Sequence, residues 1–174
     1  MKTILLLRHA KSAWNTSHQN DHDRPLNDRG ERAAKTMADH IAAHSPRPGL
    51  ILCSTATRTR QTLAPLVKAL GNPTPPISLE KDLYLASEGA LLERLQALPE
   101  GTETALLIGH NDGIGELAVA LAGRGPAETL GRIREKYPTG TLATLRPPPG
   151  PWSALAPGTC ELLAFVQPRD LDSR

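Results

Sequence analysis

Short apolar runs and longer stretches of helical period take turns along most of this chain, and that alternation restricts the folds open to it. Residues 3–7 (TILLL), 50–53 (LILC) and 104–108 (TALLI) are too short for helices and read as buried strands, with a shorter one at 77–79. Between them, residues 29–44 place Ala33, Met37 and Ile41 on one helical face, with Ala34 beside them, and stop before Pro46 and Pro48. Residues 57–70 carry Leu63, Leu66, Val67 and Leu70 as an apolar stripe that ends at Gly71. A shorter helix at 89–97 is closed by Pro99, and another runs from a cap at Asn111 through Leu121 to Gly123 and Gly125. Such an order predicts an α/β fold, a three-layer α/β/α stack around a mainly parallel sheet. After Thr141 the pattern changes: TLATL and CELLAFV read as two antiparallel strands near the C-terminus. The Pro/Gly-rich RPPPGPWSALAPGT between them is expected as an exposed excursion at a sheet edge. With 174 residues and no internal repeat, one domain over residues 1–174 is expected.

In an open α/β sheet, ligands bind beyond the carboxyl ends of the strands. The first strand ends in Arg8-His9, the second in Cys53-Ser54 with Arg58 just inside the next helix, and TALLI runs into Gly109-His110-Asn111. Two histidines and two arginines therefore converge on one rim. Each alone has an ordinary reading, a structural histidine or a surface arginine; their convergence does not. Guanidinium forks match phosphate oxygens and stay charged at any working pH. A neutral imidazole carries a lone pair that can attack phosphorus. Phosphoryl transfer asks mainly for positioning and positive charge, which these residues supply without a metal or other cofactor.

The motifs RHA at 8–10, STATRTRQT at 54–62 and GHN at 109–111, in that order, resemble the histidine phosphatase superfamily, which shares the phosphoglycerate-mutase-like fold. RHAKS, DHDRPLNDRG at 21–30, LYLAS at 83–87 and YPTGTLATL at 137–145 resemble more narrowly its small phosphohistidine phosphatases of the SixA type, and the likeness runs on through FVQPRDL. The resemblance implies His9 as the nucleophile that holds a transient phosphoryl group. It implies Arg8 and Arg58 as the grip on the phosphate oxygens, His110 as a hydrogen-bond donor to them, and Asn15 as an additional phosphate contact. His9 then needs one ring nitrogen held by a hydrogen bond, from a partner that sequence does not identify.

Two departures accompany the likeness. Ala10 stands where many members of the superfamily have glycine. The segment SLEKDLYLASEGALL has no match to the acid-bearing motif of the mutase and acid-phosphatase branches, and Asp21, Glu80, Asp82 and Glu88 are unassigned candidates for a general acid. An alkoxide leaving group wants such an acid. The imidazole of phosphohistidine leaves as a neutral ring when its other nitrogen is protonated. Phosphohistidine in a protein, or a small activated phosphate, is therefore the expected substrate. A phosphoglycerate-mutase-type phosphotransferase and a phosphate- or phosphoprotein-binding module with little turnover are the alternatives.

Asp21-His22-Asp23 lacks the ligand spacing of a metal site and is expected to anchor its loop against Arg24 or Arg29. Thr139 is expected to approach the pocket from the loop before the late strands. His18, His40 and His44 are read as solvated. A formal net charge of +2, without a basic run or interleaved aromatics, speaks against nucleic acid as a partner. Cys53 and Cys160 form no disulfide framework and read as buried thiols in a reducing compartment. The first apolar run stops at Arg8, short of a secretory h-region, and no stretch reaches the length of a membrane span. A cytoplasmic protein is expected, with its oligomeric state unassigned.

Overall fold

Burial on both faces explains why residues 3–7, 50–53 and 104–108 read as unbroken apolar runs. The computed structural model describes residues 1–14 and 20–172. In chain order the elements are β1 (Thr3–Arg8), α1 (Asp28–His44), β2 (Leu50–Ser54), α2 (Thr57–Leu70), β3 (Ile77–Glu80) and α3 (Glu88–Gln96). They continue with β4 (Thr104–Gly109), α4 (Gly113–Leu121), β5 (Ala122–Arg124), α5 (Ala127–Glu135), β6 (Leu142–Arg146), β7 (Cys160–Val166) and α6 (Pro168–Asp172). The strands form a seven-stranded sheet in the order β3-β2-β4-β1-β6-β7-β5. Pairing is parallel across β3, β2, β4 and β1, and again between β7 and β5, while β6 runs antiparallel to both its neighbours.

Side chains alternate across the strands and divide the core in two. Leu5, Leu7, Ile51, Cys53, Leu106 and Ile108 pack on Met37 and Ile41 of α1 and Leu63 and Leu66 of α2. On the other face Ile4, Leu6, Leu52 and Leu107 meet Leu91 and Leu95 of α3, Leu117 and Leu121 of α4, and Ile133 of α5. This is the expected α/β/α stack. Within α1, Ala34 and Ala38 are buried and Ala33 only half so, which turns the inner face slightly from the expected stripe. Gly71 ends α2 at φ 70°, as its place after Leu70 predicts.

Three features differ from expectation. The residues past Leu121 do not simply end a helix: β5 pairs with β7 at the sheet edge, and α5 follows. The helix after Asn111 starts at Gly113, yet the Asn111 side chain still accepts from the Gly115 amide at 3.0 Å, so the capping contact survives one position early. The Pro/Gly-rich connector is not a wholly exposed excursion at an edge. Trp152 is 1% exposed, its indole N–H donates to the Thr102 carbonyl at 2.9 Å, and Leu155 is buried with it. One large aromatic is enough to fasten a loop that its proline content marks as free.

Main-chain bonds fix the segment that leaves β1. The His9 amide donates to Gly109 O at 3.1 Å, and the Gly140 amide, at φ 74°, lies 3.0 Å from Arg8 O and 2.9 Å from His9 O. Gly30 of α1 lies so close to the Lys11 carbonyl that a Cβ there would come within 2.0 Å of its oxygen. The chain around His9 is thereby clamped between β4, the loop before β6, and the start of α1.

Candidate active site

The register Arg8↔Gly109 brings the ends of β1 and β4 level, and β2 lies on the other side of β4. Arg8, His9 and His110 follow directly from that adjacency. Arg58 joins them because the first two turns of α2 are polar on their inner face: Arg58, Thr59 and Thr62 are buried there, at the start of the leucine stripe. Thr62 ties the helix to the segment after His9, accepting from the Ala10 amide at 3.0 Å and donating to Arg58 O at 2.8 Å. A cavity of about 320 Å³ opens at this rim. Arg8, His9, Arg58 and His110 all line it, and Thr139 does so from the loop before β6. Asn15 and His18 lie outside the described residues.

The His9 and His110 rings sit 5.3 Å apart between centroids, tilted by 55°. His9 Nδ1 is 2.7 Å from the Ala10 carbonyl oxygen. A carbonyl only accepts, so Nδ1 carries the proton and Nε2 keeps its lone pair. Burial, reinforced by Arg8 and Arg58, pushes the His9 pKa down to about 3. His110 is also held down at about 3, by burial first and then by His9 and Arg58. Its Nε2 lies 2.8 Å from Ser54 Oγ, and Ser54 is fully buried. Both imidazoles are therefore neutral at ordinary pH.

Around them the field is positive. Arg8, Lys11, Arg24 and Arg58 line the cavity, against the carboxylate of Asp21. Arg8 donates through Nη1 to the Tyr137 carbonyl at 2.9 Å, an oxygen that also accepts from the Asn111 side chain at 3.1 Å. Arg58 donates through Nη1 to Asp21 O at 2.7 Å and through Nη2 to Asp21 Oδ2 at 3.0 Å. Arg8 Nε, Arg58 Nε and His110 Nδ1 are buried and have no hydrogen-bond partner among the described residues. Donors of this kind, set around a neutral imidazole, suit a ligand that brings several negatively charged oxygens.

The acid candidates separate sharply. Glu80 is engaged by Arg94 through two bonds of 2.7 and 2.8 Å and accepts from Ser78, which holds its carboxyl below the usual range. Asp82 is exposed, and Glu88 lines a different cavity of about 600 Å³ beside α4 and α5 that holds neither histidine. Asp21 alone reaches the site. Its Oδ2 accepts from the Tyr84 hydroxyl and from Arg58, and its Oδ1 is 3.2 Å from Arg24 Nε, so its carboxyl is held low, the Tyr84 bond contributing most. The Asp-His-Asp cluster thus does anchor its loop, through Arg24 as expected and Arg58 in addition. Among the described residues no cluster of histidine, cysteine or carboxylate side chains has the makings of a metal site.

Sequence reasoning missed three participants. Ala10 acts through its main chain, and Ser54 sits at a strand end with no signal beyond its position. Tyr84 packs its ring edge-on against His110 at 5.3 Å and against His22 at 4.9 Å; it lies in LYLAS, the only trace that pointed there. The rings of His40 and His44 meet at 4.9 Å, tilted by 41°, on α1 away from the site, with His44 exposed as expected and His40 half-buried. Cys53 and Cys160 are free and buried, and burial pushes the Cys53 thiol up to about 12.

Comparison with known proteins gives the family. The family profile of the Histidine phosphatase superfamily (branch 1) matches residues 4–84. The proposed phosphohistidine phosphatase SixA of Nakamurella multipartitia is 30% identical, with 96% of each chain covered and a TM-score of 0.82. Its counterpart from Agrobacterium tumefaciens is also 30% identical over 95% of this chain and 97% of that one, with a TM-score of 0.80. An uncharacterized protein of Mycobacterium tuberculosis is 39% identical over 165 residues, which are 94% of this chain and all of the relative. The chain belongs to the histidine phosphatase superfamily. Within it, sheet and sequence alike group it with the SixA type. That membership makes it a phosphatase of the hydrolase class, with a phosphate-bearing substrate. Among the described residues no helix is long and apolar enough to cross a membrane.

Proposed function

We propose that residues 1–174 form one histidine phosphatase domain, a metal-independent enzyme that works in the cytoplasm through a phosphohistidine on His9. Its substrate is phosphohistidine in a protein or a small activated phosphate. The observation that carries this reading is the 2.7 Å contact between His9 Nδ1 and the Ala10 carbonyl, which reserves Nε2 as the nucleophilic atom. Nε2 attacks phosphorus, the substrate's P–N or P–O bond breaks, and its electron pair leaves with the departing group. Arg8 and Arg58 balance the charge on the phosphoryl oxygens, and His110 donates to one of them. Water then attacks phosphorus, the P–Nε2 bond breaks, and orthophosphate leaves with His9 restored.

The leaving group follows from the carboxylates. Asp21 and Glu80 are both held in the charged form by their partners, and neither offers a proton at neutral pH. A substrate whose leaving group departs as a neutral imidazole, or as a stabilised anion, needs none. The test is to incubate the protein with a radiolabelled phosphodonor and quench at high pH. An acid-labile, alkali-stable phosphoenzyme is expected, absent in His9→Ala. Turnover without that species would remove the covalent mechanism, and faster turnover of alkyl phosphates than of phosphohistidine would remove the substrate class.

A further inference from the structure

Asp21 and Arg58 are joined in a way that positioning alone does not require. Both terminal nitrogens of Arg58 are engaged by one residue, Nη1 by the Asp21 carbonyl and Nη2 by its carboxylate. The cation is fixed: Arg58 is 2% exposed, rooted in α2. The anion is less so. Asp21 sits on a single 3-10 turn, Asp21–Asp23, and its side chain is 45% exposed, so its carboxylate, though bound by Arg58, Tyr84 and Arg24, also faces water. Among the described residues it is also the one carboxylate lining a cavity whose other charged groups are Arg8, Lys11, Arg24 and Arg58.

We infer that Asp21 is an internal competitor for the phosphoryl-binding arginine. Resting on the assignment of Arg58 to the phosphoryl oxygens, its role goes beyond the nucleophilic step. In the free enzyme its carboxylate takes up part of the Arg58 fork and charge. An incoming phosphoryl group contests the same N–H groups and repels the carboxylate. Once the P–Nε2 bond has been hydrolysed, the returning carboxylate weakens the hold on orthophosphate and favours its release. Tyr84 sets the balance, because its hydroxyl donates to the same Oδ2 and fixes where Asp21 rests. A site built from four cations and no anion would bind its product tightly; Asp21 keeps that affinity low.

The measurement is competitive inhibition by orthophosphate of p-nitrophenyl phosphate hydrolysis in the wild type, Asp21→Asn, Tyr84→Phe and Arg58→Ala. Asp21→Asn keeps an acceptor oxygen for Arg58 and removes the charge. Its inhibition constant for phosphate is expected to fall about tenfold, the scale of one charge-assisted hydrogen bond, with KM falling alongside. Tyr84→Phe, which leaves the charge and loosens its anchor, is expected to shift the constant the same way by a smaller factor. A mere positioning role for Asp21 predicts the opposite sign, because a disordered Arg58 binds phosphate less well. An unchanged or raised constant in folded Asp21→Asn and Tyr84→Phe would therefore overturn the inference. Arg58→Ala keeps the two ideas apart: if it does not weaken phosphate binding, the assignment of Arg58 fails first, and the competition falls with it.

Discussion

The ring of His9 is held by the main chain of its own neighbour: Nδ1 lies 2.7 Å from the carbonyl oxygen of Ala10. Because the partner is a carbonyl, the tautomer is set by geometry and by no titratable group. The Ala10 peptide is fixed in turn, since its amide donates to Thr62. Imidazole nitrogen shifts in a labelled sample should therefore show a protonated Nδ1 and a bare Nε2 for His9 at neutral pH. They should show the same down to about pH 4, given a pKa of about 3. A protonated Nε2, or titration near pH 6.5, would contradict the structure.

The pair of neutral histidines also sets a stability profile. Folded His9 and His110 both sit at about 3, against about 6.5 when the chain is unfolded. Between those values the unfolded state binds more protons, so stability rises with pH. It is fully present above about pH 6.5 and is lost as pH falls toward about 3, the carboxyl groups of Asp21, Glu80 and Asp170 adding to the loss only lower down. Urea unfolding should show a free energy that drops between about pH 7 and about pH 4.5. In His110→Asn the absolute stability will change, but the slope is the readout, and it should flatten. An equal slope in the variant would mean that His110 is charged in the folded state.

Ser54 offers a test of the second histidine that leaves both imidazoles in place. Its hydroxyl, wholly buried at the end of β2, is 2.8 Å from His110 Nε2. In Ser54→Ala the ring loses that bond, while Nδ1 already has no partner among the described residues. The ring is then free to turn, and a buried polar atom goes unsatisfied, at about 1–3 kcal/mol. A fall of about tenfold in kcat/KM, with KM for a small phosphate rising, is expected from a donor that is no longer aimed. Unchanged kinetics in a destabilised Ser54→Ala would reduce the contact to a core bond.

The parts of the site that could be read from sequence are those that local chain geometry delivers. Arg8, His9 and His110 follow from two adjacent parallel strands whose ends are level, and Arg58 follows from the turn after the next strand. What sequence concealed depends on long-range or main-chain contacts. Asp21 meets Arg58 across 37 residues of chain, and no periodicity encodes that meeting. Tyr84 reaches the rim only because a 3-10 turn, Lys81–Leu83, redirects the chain after β3. In the fold, β5 was hidden because three residues bearing a glycine look like a helix stop. Helix α5 was hidden because Ile133 is its one buried residue, too little for an apolar stripe. Trp152 concealed itself among prolines.

Tyr137 separates the stability of the fold from the chemistry of the site within one residue. Its side chain is buried, its ring meets Phe165 edge-on at 5.2 Å, and its hydroxyl donates to the Leu6 carbonyl of β1 at 2.6 Å. Burial pushes that phenol far up, so it remains a donor at every working pH. Its own carbonyl, by contrast, faces the site and accepts from Arg8 and Asn111. Tyr137→Phe deletes the first contact and keeps the second. The variant should lose about 1–2 kcal/mol of unfolding free energy, the scale for a buried hydrogen bond. Its kcat/KM should stay within about twofold of the wild type, because the bond that positions Arg8 is made by the backbone. A tenfold loss of activity with stability intact would place the hydroxyl in the path of catalysis and would refute the division.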